Sequence, residues 1–264
     1  MKICVLHEEM DEFIEEYSGF SVYIEFKGKK ILFDTSNDKK GKDILKNAKK
    51  LNIDLFNKLD YIVLSHGHYD HTNGLVALRG TKARVLAHPD CFERKYYQER
   101  FIGSPFSKEE MEKEFKLILS KEPYFITEDI VFLGQVPRIT SFEGKVPIGR
   151  RENGEGDFVL DDSALSIKTK KGLVIISGCS HSGICNIIEY SKEVCRENNI
   201  YILLGGFHLF DKEVTDKTVE FIKKQRLEKI YPAHCLNNYA FSKILKIGGK
   251  RIHTLQTLHF EEGV

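Results

Sequence analysis

Residues 61–71 read YIVLSHGHYDH, an apolar run that gives way within six positions to three histidines and an aspartate. Tyr61 to Leu64 form the short, uninterrupted apolar stretch of a buried strand, and TNGLVAL at 72–78 reads as the start of a helix. On extended backbone His66 and His68, two apart, project to the same side. Asp70 and His71 turn with the chain into the helix and point to a second, adjacent position. Four polar donors straight after a buried strand would be costly to desolvate with nothing to bind. A strand end joined directly to a helix start also holds ligands with little ordering entropy left to lose. The stretch therefore predicts one motif that serves two metal positions.

Outward from this motif, short apolar or period-two runs alternate with helical stretches, the pattern of stacked sheet and helix layers in an α/β chain. Strands are predicted at KICVLH, SVYIEF, KKILFD, DYIVLSH, ARVLAHP, ALSIKT, GLVIISG, IYILLGG and KIYPAHC. Helices are expected near 41–51, 72–79, 183–196, 213–226 and 237–246, and Gly28 and Gly172 mark hairpin turns. Residues 91–127 break the rhythm. Ser107 with Glu110 makes a capping box, and Met111, Phe115, Leu117 and Ile118 supply an apolar helix face, so a helical insertion serving as lid or pocket wall is expected. RRENGEGD at 150–157 reads as an internal loop, and the reading as a whole is one domain over 1–264.

A weak internal repeat is visible. GFSVYIEFKGKKILFDTS resembles SALSIKTKKGLVIISGCS, DYIVLSHGH resembles IYILLGGFH, and ARVLAHP resembles KIYPAHC, in the same order. Three matches in sequence predict two similar sheet halves whose strand ends converge on one edge.

Composition sets bounds on function. With 40 Lys+Arg against 39 Asp+Glu the net charge is +1, too balanced for nucleic acid as the main partner, and no basic or aromatic tract points to a nuclease. The N-terminal stretch MKICVLHEEMDEF carries early charge and no long apolar segment, so neither a signal peptide nor a membrane helix is expected and a cytoplasmic location follows as the default. The six cysteines are scattered without a CxxC pair and read as free thiols, with Cys179 as a possible ligand.

The HxHxDH pattern met by His66, His68, Asp70 and His71 resembles that of the metallo-β-lactamase superfamily, as do LFDTS at 32–36, ISGCS at 176–180 and PAHC at 232–235. GFSVYIEFKGKKILFDTS, GCSHSGICN, GGFHL and PAHC look like a subgroup that carries the name 7,8-dihydropterin-6-methyl-4-(β-D-ribofuranosyl)aminobenzene 5′-phosphate synthase. The resemblance implies a four-layer αββα sandwich, two mixed β-sheets flanked by helices, with a dinuclear site on one edge. This agrees with the two-half reading.

Superfamily members usually carry a further histidine about twenty residues ahead of the segment occupied here by ISGCS, yet none lies between His88 and His181. His181 is the expected replacement at the first metal, beside His66 and His68. Cys179 stands where an aspartate would bridge both metals, so thiolate ligation and a plain buried cysteine are both open. His234 would join Asp70 and His71 at the second metal. For His208, ligation, substrate contact and structure all remain open. Asp34 is expected to accept an N–H from a ligating imidazole, and His88, the repeat partner of His234, to stand behind the ligands or serve structure.

Such a set suits two divalent cations, zinc best, with manganese or iron also compatible. Metal binding lowers the pKa of water towards about 7, which implies a hydroxide nucleophile, Asp70 as its orienting base, and a small ester, lactone or phosphorylated metabolite as substrate. Phe101, Phe106, Tyr124 or Phe142 could form a wall for a flat ring such as a pterin. The alternatives are a transferase forming a C–N bond on a pterin, and a non-catalytic metal or metabolite sensor.

Overall fold

The computed structural model describes residues 1–9, 18–225 and 227–261. One sheet contains β1 (Lys2–Glu9), β2 (Gly19–Phe26), β3 (Lys29–Phe33), β4 (Tyr61–Val63), β5 (Arg84–Ala87), β8 (Lys116–Leu119) and β17 (Thr257–His259), in the order β17-β1-β2-β3-β4-β5-β8. A second contains β9 (Tyr124–Thr127), β10 (Ile130–Phe132), β13 (Ala164–Thr169), β14 (Gly172–Ser177), β15 (Ile200–Gly205) and β16 (Leu227–Pro232), in the order β16-β15-β14-β13-β10-β9. A small third sheet joins β12 (Gly156–Asp157), β11 (Gly149–Arg151), β6 (Lys95–Tyr97) and β7 (Arg100–Phe101). The helices are α1 (Lys42–Lys50), α2 (Tyr69–Thr72), α3 (Lys108–Glu114), α4 (Ile184–Cys195), α5 (Lys212–Lys224) and α6 (Asn238–Lys246).

Strand alternation sorts the apolar side chains into layers. Ile3, Val5, Val22 and Ile24 of the first sheet meet Ile167, Val174, Ile176 and Ile202 of the second in one buried cluster. Cys4, Leu6 and Leu32 face the other way, onto Ile44 and Ala48 of α1 and Met111 of α3. On the far side, Leu173, Ile175 and Leu203 pack against Ile187 of α4, Ile222 of α5 and Ile244 of α6. Each isoleucine fully buried in this way contributes roughly 1.5–3 kcal/mol. The result is the helix–sheet–sheet–helix sandwich expected from the sequence.

The repeat has a counterpart in topology. β2–β3 is an antiparallel hairpin followed by parallel β4 and β5, and β13–β14 is an antiparallel hairpin followed by parallel β15 and β16. The first hairpin closes through Lys27 and Gly28, with φ of 46° and 76°, the two left-handed residues that a tight hairpin needs.

Three local expectations are corrected. Residues 91–127 are not a helical insertion: of the described residues there, only Lys108–Glu114 are α-helical, and four strands surround them. The Ser107–Glu110 capping box forms, but the helix stops where Lys116–Leu119 finds the open edge of β5, so Leu117 and Ile118 alternate between two core layers. The helix expected over 72–79 is α2 running into a 3-10 turn at Asn73–Leu78, because Asn73 and Gly74 are weak helix formers and Gly74 is pressed against the Thr35 carbonyl, where a Cβ would come within 2.0 Å. RRENGEGD forms the β11–β12 hairpin instead of a loop. Arg226, the expected end of the helix near 213–226, lies outside the described residues. No helix among the described residues is long and apolar enough to cross a membrane.

Candidate metal centre

The C-terminal ends of β3, β4, β14, β15 and β16 deliver, in turn, Asp34, the His66–His71 motif, Cys179 with His181, His208, and His234 to one edge of the sandwich. The backbone there is strained: Asp34, Ser180, His208 and His234 have φ of 57°, 63°, 47° and 54°. Left-handed non-glycine residues cost on the order of 1–3 kcal/mol each and gather at functional sites. Gly67 allows the motif to pass the Cys91 carbonyl, where a Cβ would come within 1.9 Å. Gly178 likewise leaves room for Ser65 and Asp34, with a built Cβ 2.0 Å from the Ser65 Oγ.

Four overlapping groups of three donors, all within 4.8 Å of one another, emerge among the described residues. His66, His68 and His181 form one set, and Asp70, His71 and His234 another. Cys179 joins His66 and His71 in a third group and meets His234 and Cys235 in a fourth, so it lies between the two main sets.

In the first set His66 Nε2 is 3.0 Å from His68 Nδ1, and the His181 ring centre is 4.8 Å from both of theirs. His66 Nδ1 is 2.9 Å from the Ser65 hydroxyl. His68 Nε2 and both nitrogens of His181 are buried without a hydrogen-bond partner. Burial, then the charges of His71 and His68, hold His66 well below the ordinary histidine value. Burial, with His208 next, does the same to His181. Burial takes His68 down to about 4 despite the opposing charge of Asp70. Neutral imidazoles converging on one point, with three of their nitrogens unpartnered, are the donors a borderline-soft divalent cation takes.

The second set is built on carboxylates. Asp34, fully buried, accepts from the Ser65 N–H and hydroxyl and lies 2.7 Å from His71 Nδ1, which leaves His71 Nε2 facing Cys179 Sγ at 3.2 Å and Asp70 at 3.6 Å. His234 Nε2 is 3.1 Å from the same Asp70 oxygen, while its Nδ1 faces the Glu9 carbonyl and its N–H donates to Glu8. Burial depresses His71, but Asp70 and Asp34 outweigh it and leave it raised. Burial would also lower His234, yet the bond to Asp70 and the charge of Cys235 bring it up to about 9. Burial would raise Asp70, and the charges of His71 and His234 take it far below the carboxylate range instead. Burial, followed by Cys235, pushes the Cys179 thiol up, so only an adjacent cation would make it a thiolate.

Of the residues singled out in the sequence, His66, His68, Asp70, His71, Cys179, His181, His234 and Asp34 come together. His208 stands at the rim, its ring centre 4.3 Å from that of His181 and 5.1 Å from that of Phe210. His88 does not join them: its Nδ1 accepts the Asp90 N–H as the cap of a 3-10 turn, and its Nε2 has no partner. Asp161, Asp162, Lys95, Glu8 and Cys235 escaped sequence reasoning. Only the paired acids ahead of the ALSIKT strand left a local signal, two charges beside a buried run.

A cleft of about 570 Å³ opens over the cluster, walled by Tyr69, Tyr97, Arg100, Ile102, Ile148 and Phe210. The four aromatics expected there are elsewhere. Phe106 is core, Tyr124 packs beside the inter-sheet cluster, Phe101 borders the neighbouring basic depression, and Phe142 lines a smaller chamber behind His208. The insertion contributes its wall through the small third sheet.

The sequence profile of the β-lactamase superfamily domain matches residues 29–113, the segment that carries the histidine motif. An uncharacterised protein of Methanocaldococcus jannaschii is 36% identical, with 94% of this chain and 99% of that protein covered. A 7,8-dihydropterin-6-methyl-4-(β-D-ribofuranosyl)-aminobenzene-5′-phosphate synthase of the same organism is 34% identical over 92% of this chain and 89% of its own length. The crystal structure of Tm1679, described as a metal-dependent hydrolase of the β-lactamase superfamily, is similar with a TM-score of 0.82 at 33% identity, covering 98% of this chain and 99% of that one. With its sandwich, its histidine motif and relatives of this identity over nearly its whole length, the chain belongs to the metallo-β-lactamase superfamily.

Proposed function

We propose that this protein is a metal-dependent hydrolase that holds two divalent cations, zinc fitting best, and cleaves a small ester, lactone or phosphorylated metabolite. The observation that carries this reading is the convergence of His66, His68 and His181, with three buried nitrogens unpartnered, directly beside the carboxylate-bound pair His71 and His234. His66, His68 and His181 would hold one cation and Asp70, His71 and His234 the other, with Cys179 between them. Bound there, divalent cations supply Lewis acidity and lower the pKa of water towards about 7.

The chain's own residues supply the rest. Asp34 fixes the His71 tautomer and the Glu9 carbonyl that of His234, so both rings present Nε2 to the cleft. Asp70 orients the attacking water and accepts its proton. His208, at the rim of the cleft, is placed to hydrogen-bond the departing oxygen. Arg100, its guanidinium 5.0 Å over the Tyr69 ring, gives the wall a group that matches a phosphate or carboxylate. The test is a phosphoester and lactone panel assayed with and without chelator. Hydrolysis that is lost on stripping and restored by zinc, manganese or iron supports the reading, whereas hydrolysis that survives full stripping contradicts it.

The name of the 34% identical relative favours a second reading, transfer onto an aryl amine with formation of a C–N bond. Product analysis with an aryl amine present separates the two: a new C–N bond supports transfer, and incorporation of solvent oxygen alone supports hydrolysis.

A further inference from the structure

Three consecutive residues ahead of β13 hold the backbone beside three candidate ligands, Asp161 and Ser163 across the sandwich and Asp162 within its own half. Asp161 Oδ2 accepts the N–H of Gly67, between His66 and His68, at 2.7 Å. Asp162 Oδ2 accepts the N–H of Ser182, next to His181, at 2.9 Å and its hydroxyl at 2.5 Å. The Ser163 N–H donates to the Ser65 carbonyl at 2.9 Å. Both carboxylates are buried, Asp161 at 0% and Asp162 at 1% exposure.

Asp161 is balanced by Lys95, itself 0% exposed, whose Nζ lies 2.6 Å from Asp161 and 3.2 Å from Asp157. Lys95 belongs to β6 of the small sheet that walls the cleft, and the Ile102 carbonyl of the same sheet region accepts the Tyr69 N–H. A buried triad of this kind is strongly destabilised when one partner is removed, and it carries no stability advantage over packed apolar groups. Its placement therefore calls for another reason than stability.

We infer that Asp161 and Asp162 are the positioning pair of the first ligand set, with Lys95 as the counter-cation of Asp161. They bring His66 and His68, from one half of the sandwich, into register with His181, from the other, by gripping backbone N–H groups instead of imidazoles. No ring N–H of the first set is donated to a carboxylate among the described residues, so this grip stands where Asp34 stands for His71. The inference rests on the metal-centre reading above.

The test is a zinc titration of the full chain followed by histidine imidazole ¹⁵N shifts, with competing chelator to set the affinity at each set and thermal melting to establish folding. Asp161→Ala, Asp162→Ala and Lys95→Met should each weaken the response of His66, His68 and His181 by about 10- to 100-fold and leave those of His71 and His234 unchanged. Asp162→Asn keeps an acceptor for Ser182 and should restore most of the affinity, whereas Asp162→Leu, which fills the space without an acceptor, should not restore it, as a packing role alone would require it to do. Should Asp161→Ala fail to fold, Asp161→Asn keeps the shape, weakens the acceptor and should give a smaller loss at the same three rings. Unchanged binding at the first set in folded variants, or equal weakening at both, overturns the inference. A wild-type chain that takes up none of zinc, manganese or iron defeats the metal-centre reading and this inference together.

Discussion

The two candidate ligand sets share one floor and differ in how they are held. His66, His68 and His181 are kept neutral by burial and by one another, and their neighbours grip backbone. His71 and His234 are gripped by their rings, and Asp34 and Asp70 make that side of the cleft stabilise positive charge. On the proposed reading the first set would attract a cation through lone pairs placed in advance, and the second through fixed negative charge. The difference teaches that equal-looking histidines can be prepared for a metal by opposite electrostatics, one by removing protons and the other by favouring any cation.

The comparison breaks most visibly at Asp70. Asp70→Asn should lower kcat by about 10²- to 10⁴-fold and impair zinc uptake at His71 and His234, with the imidazole shifts of His66, His68 and His181 still responding to zinc. A variant that loses both responses together would show that the sets do not act separately. Next in size is Asp34→Asn, which removes the carboxylate charge facing His71 Nδ1. Affinity should fall by about 10- to 100-fold at the second set alone, as read by chelator competition.

A smaller effect is expected in the pH dependence of stability of the chelator-stripped chain, and its two limbs belong to different sets. His66, His68 and His181 have folded values below the unfolded 6.5, so below pH 6.5 the unfolded chain takes up protons that the folded one refuses and stability falls, for His68 down to about pH 4. His234 has a folded value of about 9, above 6.5, so its contribution is complete below pH 6.5 and is lost as pH rises towards 9, with His71 acting in the same sense. Melting temperature across pH 4 to 9.5 should therefore peak near about 6.5, each proton contributing a slope of at most about 1.4 kcal/mol per pH unit. His234→Ala should flatten the alkaline limb and leave the acid limb. The smallest effect falls on His88→Gln, expected to leave both zinc affinities as they are, since His88 turns to Asp90. A selective loss at either set would return His88 to the cluster.

Much of this was legible in the chain. The strand ending in SHGHYDH, the hairpins at Gly28 and Gly172, and the further strand runs behind them follow from period and turn chemistry, which act over a few residues. Leu117 and Ile118 misled because an apolar pair in that spacing suits a helix face and a strand alike, and the free edge of β5 decided between them. The aromatic wall was misplaced for a related reason: composition cannot say which ring faces core and which faces cleft.

What the sequence determined by itself is the inventory of candidate donors, since motif spacing on stiff backbone sets which side chains can reach a common point. What only the tertiary structure decided is how those ligands are prepared. Gly67 meets Asp161 across 94 positions, Lys95 meets Asp161 across 66, and His234 meets Glu8 across 226. Contacts between residues so far apart leave no periodic trace along the chain, because they exist only once two independently patterned sheets have packed face to face.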